Sequence, residues 1–99
     1  MRNLEVIISE RAEYRLDEIL QYLDTEFPPA ARKTFLKKLY KVIRLISRMP
    51  EMFPVSVEFP DLRKCVLTKQ TVIFYRVKNN FLEIVTFHDT RTELTDIGV

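Results

Sequence analysis

A chain of 99 residues with 46% hydrophobic side chains can bury one core but not two, so a single domain over 1–99 is expected without staples. One cysteine excludes an internal disulfide and a cysteine-based zinc site, and one glycine excludes the glycine-rich loops of nucleotide-dependent enzymes. With no paired Cys or His spacing, neither a metal nor a cofactor is expected. The net charge of +2 hides an arrangement: residues 1–26 carry three basic and seven acidic side chains, residues 27–78 twelve and three, and residues 79–99 one and four, or −4, +9 and −3. Such asymmetry points to an acidic partner or nucleic acid, or to neutralisation within the fold.

Leu4–Ile8 is short and β-rich and reads as a first strand. Ser9 follows as a helix N-cap, and Glu10 brings a carboxylate to the positive end of the helix dipole. Ala12, Leu16, Ile19, Leu20, Leu23 and Phe27 then recur at helical spacing on one face, with Glu13, Asp17 and Asp24 along its flank. Pro28-Pro29 ends this helix and starts the next, expected from about Pro29 to Met49 and stopped by Pro50. The second helix turns Ala31, Phe35, Leu39, Val42, Ile46 and Met49 inward, widened by Leu36 and Ile43. Opposite lie Lys33, Lys37, Lys41, Arg44 and Arg48, five cations on one narrow arc of a helix without an acid. Two helices joined by a two-proline turn form an antiparallel hairpin and lay their apolar faces on a sheet.

Met49–Asp61 holds three prolines and reads as a connector, with Phe53 and Phe59 tucked beneath it. Leu62–Leu67, Thr71–Val77 and Phe81–Phe87 read as a three-stranded meander, separated by Thr68-Lys69-Gln70 and Lys78-Asn79-Asn80. The middle strand is apolar on both faces except at Arg76, as a central strand covered on both sides should be. The pattern stops at His88-Asp89-Thr90-Arg91, a polar cluster leaving a buried strand, where function often sits. The expected fold is α+β, β-α-α-β-β-β: a helical hairpin on a small antiparallel sheet, with the docking of the first strand left open. The N-terminus shows no charged-then-apolar leader, and no apolar run reaches membrane-spanning length. A soluble, cytoplasmic protein is expected.

A Ser-His-Asp triad would have to join His88 to Ser9, Ser47 or Ser56, none of which sits in a nucleophile elbow. The remaining inventory of cations, one imidazole and one loop fits recognition of phosphate or of an acidic partner, or RNA cleavage by general acid–base chemistry.

The order of elements and several short motifs resemble the RelE/ParE superfamily, the toxins of type II toxin–antitoxin modules. Its carriers are Ser9-x-x-Ala12 after a short strand, the acidic helix with Leu16 and Ile19, and the Met49-Pro50 helix exit. They continue with Phe59-Pro60-x-Leu62-Arg63, the central Val72-Ile73-Phe74-Tyr75-Arg76-Val77, and the closing Ile84-Val85-x-Phe87-His88-x-x-Arg91. The resemblance implies one of two activities. RelE-like members are ribosome-dependent mRNA endonucleases; ParE-like members poison DNA gyrase. Both are held inactive by a cognate antitoxin that packs a helix or strand against them, and a homodimer or toxin–antitoxin hetero-oligomer is compatible with either.

Carried over residue by residue, the resemblance favours the ParE-like kind. Arg63 stands where RelE-type nucleases place a basic catalytic residue, but Cys65 stands where they often have another, and Val72 where they have an essential arginine. Arg91 could serve as the C-terminal arginine, yet no tyrosine follows Tyr75, while His88 matches a histidine used by other nuclease subfamilies. If the protein is a nuclease, Arg63, Arg76, His88 and Arg91 are its catalytic candidates. Lys33, Lys37, Lys41, Arg44 and Arg48 are the candidate partner-binding residues; the plainer alternative is a solvated face paired with Glu13, Asp17 and Asp24. Plainer roles also exist for Arg76 as an edge charge, His88 as a loop hydrogen-bonder and Arg91 as the ion-pair partner of Asp89, Glu93 or Asp96. Cys65 and Tyr75 read as core.

Overall fold

A computed structural model describes residues 3–92. The elements run β1 (Glu5–Ile8), α1 (Glu10–Glu26), α2 (Ala30–Arg48), β2 (Arg63–Thr68), β3 (Thr71–Lys78) and β4 (Phe81–Asp89). The four strands form one sheet in the order β1-β4-β3-β2. The expected antiparallel meander holds for β2, β3 and β4, whereas β1 lies parallel to β4, with Glu5 opposite Phe81 and Ile8 opposite Ile84. The sheet is therefore mixed. The cause is the helical hairpin, which carries the chain from one edge of the sheet to the other before the meander begins.

The helices begin where their caps dictate. The Ser9 hydroxyl accepts the Ala12 amide at 3.0 Å and donates to the Val85 carbonyl at 2.7 Å, while the Ser9 amide donates to the Ile84 carbonyl. One residue thus caps α1 and fastens it to β4. Ala12 is fully buried at this junction, where its small side chain lets α1 lie close to the sheet. At the other end of the hairpin, the Ser47 hydroxyl donates to the Leu4 carbonyl and its own carbonyl accepts the Leu4 amide, so the end of α2 holds the start of β1.

Phe27 departs from the expected apolar stripe. It is the C-cap of α1, 47% exposed, with its ring edge-on to Tyr22. Met49 departs likewise: the helix ends at Arg48 and leaves Met49 largely exposed as the cap, while Pro50 turns into the core. In each case helical phase lapses one residue early, at the start of a proline turn.

The core lies on both faces of the sheet. On the helix side Leu20, Phe35, Leu39 and Ile46 pack on Cys65, Leu67, Ile73, Tyr75, Leu82, Ile84 and Phe87. On the far side Leu62, Val72, Phe74 and Val85 are closed over by Phe59 from the connector. The switch between faces is set by a bulge: Phe74 pairs with Thr86 and Tyr75 with Ile84, which leaves Val85 as an extra residue in β4. Tyr75 is fully buried and its hydroxyl donates to the Pro50 carbonyl at 2.8 Å, which anchors the connector; burial pushes its pKa up to about 12. Cys65 is an equally buried core thiol, raised to about 11 by the same cause.

Ser9→Ala removes the cap and leaves the Val85 carbonyl without its hydroxyl donor, so a loss of about 2 kcal/mol is expected in chemical denaturation. A loss below about 0.5 kcal/mol would show that the junction is held by packing alone.

Candidate functional site

The four candidate catalytic residues do not share a pocket. Arg63 and Arg76 both border a shallow hollow of about 270 Å³ at one end of β3, together with Glu51, Pro60 and Asp61. His88 and Arg91 border a larger cavity of about 590 Å³ at the other end, between α1 and the exit of β4. Val72 sits opposite His88, and Arg76 opposite Glu83, so the two groups are separated by four residues of strand, about 13 Å.

Within each group the side chains also diverge. Arg63 shares the helix-side face of β2 with Cys65 and Leu67, and its guanidinium donates to the Phe53 carbonyl at 2.6 Å and the Glu51 carbonyl at 3.3 Å. It is engaged in holding the connector. Arg76 lies on the other face, paired with Glu83 at 2.8 Å. The His88 ring is edge-on to Phe74, itself edge-on to Phe59, on the face away from the helices. Arg91 turns the opposite way. Its guanidinium makes a two-pronged pair with Asp89, 3.0 Å from Nε and 2.8 Å from Nη2, and lies 5.4 Å over the Tyr22 ring of α1.

This last group is the most tightly built at the sheet ends. The Asp89 carboxylate also accepts the Arg91 amide, and the Asp89 carbonyl accepts both the amide and hydroxyl of Thr92, so one aspartate turns the chain out of β4. The Arg91 hydrogen bond holds the Asp89 carboxyl below its ordinary range, and Asp89, then the Tyr22 hydroxyl, raise the guanidinium further. Of the partners expected for Arg91, Asp89 is the one it meets; Glu93 and Asp96 lie outside the described residues. The sequence offered no sign of Tyr22, because nothing short of the fold brings the middle of α1 to the end of β4. The rest of the cavity wall is part apolar, with Ile19, Leu23, Phe35 and Phe87, and part charged, with Arg11 and an Arg15–Glu18 pair.

The second group of candidates is arranged as a strip. Lys33, Lys37, Lys41, Arg44 and Arg48 are all exposed along α2, and none makes an ion pair among the described residues. The α1 acids do not neutralise them: Asp24 reaches across to Arg32, outside the strip, at 2.7 Å. Among the described residues, no three His, Cys, Asp or Glu side chains are placed to hold a metal ion, and no helix is long and apolar enough to cross a membrane.

A sequence model of the ParE toxin of type II toxin–antitoxin systems, parDE, matches residues 6–94. Among solved structures, the fold is similar to a chain of the chromosomal ParDE toxin–antitoxin system of Pseudomonas aeruginosa, with a TM-score of 0.75 at 15% identity over 88% of this chain and 96% of that one. It is also similar to a copper-bound mutant toxin from Helicobacter pylori, with a TM-score of 0.59 at 14% identity over 89% of this chain and 96% of that one. At such identities the likeness is one of fold. No curated protein sequence gives a significant match.

The depressed Asp89 pKa has a thermodynamic consequence. Asp89 contributes stability above the ordinary carboxylate pKa, and this is lost as pH falls through its lower folded value. Asp89→Asn should therefore melt below the parent at pH 7, and the gap should close as the pH is taken well below about 4. A gap independent of pH would show that charge is not what holds the turn.

Proposed function

Because the chain belongs to the ParE toxin family of type II toxin–antitoxin systems, we propose that it arrests growth by protein contact with DNA gyrase and is neutralised by a cognate antitoxin. The observation that carries the choice of target is the separation of Arg63 and Arg76 from His88 and Arg91. Cleavage of RNA by ribose-hydroxyl attack needs a base, an acid and a cation within reach of one phosphate, since proton transfer requires hydrogen-bond distances. Here the four side chains occupy two ends and two faces of the sheet, and three of them are committed to protein partners: Arg63 to the connector, Arg76 to Glu83 and Arg91 to Asp89. The arrangement supports a surface that binds over a centre that cleaves.

The antitoxin reading rests on exposed apolar side chains that the fold itself does not use. Val57 is 91% exposed on the connector and Val66 is 64% exposed on β2, an edge strand of the sheet. The connector covers only the beginning of that edge, where Val55 bridges Arg63. The remainder is open to a partner strand or helix.

Two outcomes separate this reading from its alternatives, a ribosome-dependent mRNA endonuclease and a binding protein without toxicity. Induced expression should give filamentous cells with DNA-damage signalling and intact mRNA. Fragmented mRNA would favour the nuclease, and unaffected growth the binding protein. His88→Ala and Arg91→Ala should each relieve toxicity while the protein stays folded by circular dichroism; full toxicity in both would remove the exit of β4 from the mechanism.

A further inference from the structure

The outer face of α2 carries a pattern that neither the core nor the β4 exit accounts for. On a helical projection Lys33, Arg44, Lys37, Arg48 and Lys41 fall in this angular order within an arc of about 80°. The arc lies diametrically opposite the buried positions Phe35, Leu39 and Ile46. The cations therefore stand at the outermost line of the helix. From Lys33 to Arg48 the strip is about 22 Å long, straight and free of acids. Tyr40, 55% exposed, sits at one margin of the arc, and between Lys33 and Arg48 no other apolar side chain lies within it.

We propose that this strip docks the phosphodiester backbone of duplex DNA. Two features favour DNA over an acidic protein. Stable protein interfaces close around an apolar, desolvated centre from which lysine is depleted, and this strip offers three lysines, two arginines and no such centre. Duplex DNA asks for the reverse: a wet, strongly cationic surface laid along regularly spaced charges, with no large apolar anchor. The rigidity of α2 suits this use. Its inner face is fixed by Phe35, Leu39 and Ile46, and its end by Ser47 on Leu4, so the five side chains spring from fixed points along the helix and binding carries no folding cost.

The test needs no other protein, so its outcome is independent of what the toxin attacks. The full chain is titrated against a fluorescein-labelled duplex of mixed sequence, with anisotropy read from 50 to 200 mM salt. Binding should weaken with a log–log slope approaching about −4.5 if all five cations each neutralise one phosphate. The double variant Lys37→Glu, Lys41→Glu should bind at least tenfold more weakly at 50 mM salt, with the slope reduced by about two. Its thermal unfolding should match the parent, because neither side chain is buried. A control pair of equal charge change away from the strip, Lys69→Glu and Lys78→Glu, should retain the parent affinity. The proposal is overturned if the parent does not bind the duplex at 50 mM salt, or if both pairs weaken binding equally, which would make net charge the cause. It is also overturned if poly-glutamate at equal charge displaces the duplex, which would favour an acidic protein.

Discussion

One extra residue in β4 decides how this molecule is organised. Val85 is inserted opposite the Phe74–Tyr75 step, so that Val85 and Thr86 oppose one regular pair position and the strand changes phase. Before the bulge Leu82 and Ile84 face the helices; after it Phe87 does, three residues on. The Val85 carbonyl is taken by the Ser9 hydroxyl, and the Ser9 amide is taken by the neighbouring Ile84 carbonyl. The irregularity in the last strand and the first turn of α1 therefore fix each other. Helix N-terminus, strand bulge and sheet face are one interaction seen from three sides.

The disposition of the candidate residues follows from that phase. With Phe87 turned to the helices, His88 must turn away, and its ring settles against Phe74 on the far face. Asp89 turns back toward α1, where it gathers Arg91 beneath a guanidinium–ring contact with Tyr22. That contact and the Asp89 turn together accompany the exit of the chain from the sheet. A histidine and an arginine three positions apart in sequence thus border one cavity with their side chains turned to opposite faces of the sheet. The four residues that would have to cooperate in cleavage are divided between the two ends of β3, Arg63 and Arg76 at one and His88 and Arg91 at the other.

The helices were legible because their signals are local: a serine cap, recurrent apolar positions and proline stops leave few alternatives over such short spans. The meander was legible for the same reason, although β4 runs to Asp89, two residues beyond the last apolar position, because strand pairing with Thr71 continues past the hydrophobic pattern. What local signals could not supply was the parallel docking of β1 on β4, which depends on the span of the hairpin. Nor could they supply the bulge, since Val85 resembles any other strand residue until its pairing is seen. The α2 strip was visible as a pattern, but whether it was neutralised was not. That depended on Asp24 meeting Arg32 and no cation of the strip, a matter of the crossing of two helices.

The central proposal is that this protein acts by gripping a macromolecular machine and cleaves no RNA of its own. The direct measurement is to add the purified protein to DNA gyrase with relaxed plasmid and ATP, and in parallel to a translating extract with a defined message. Dose-dependent loss of supercoiling and an intact message are expected. Undiminished supercoiling beside a cleaved message would contradict the proposal.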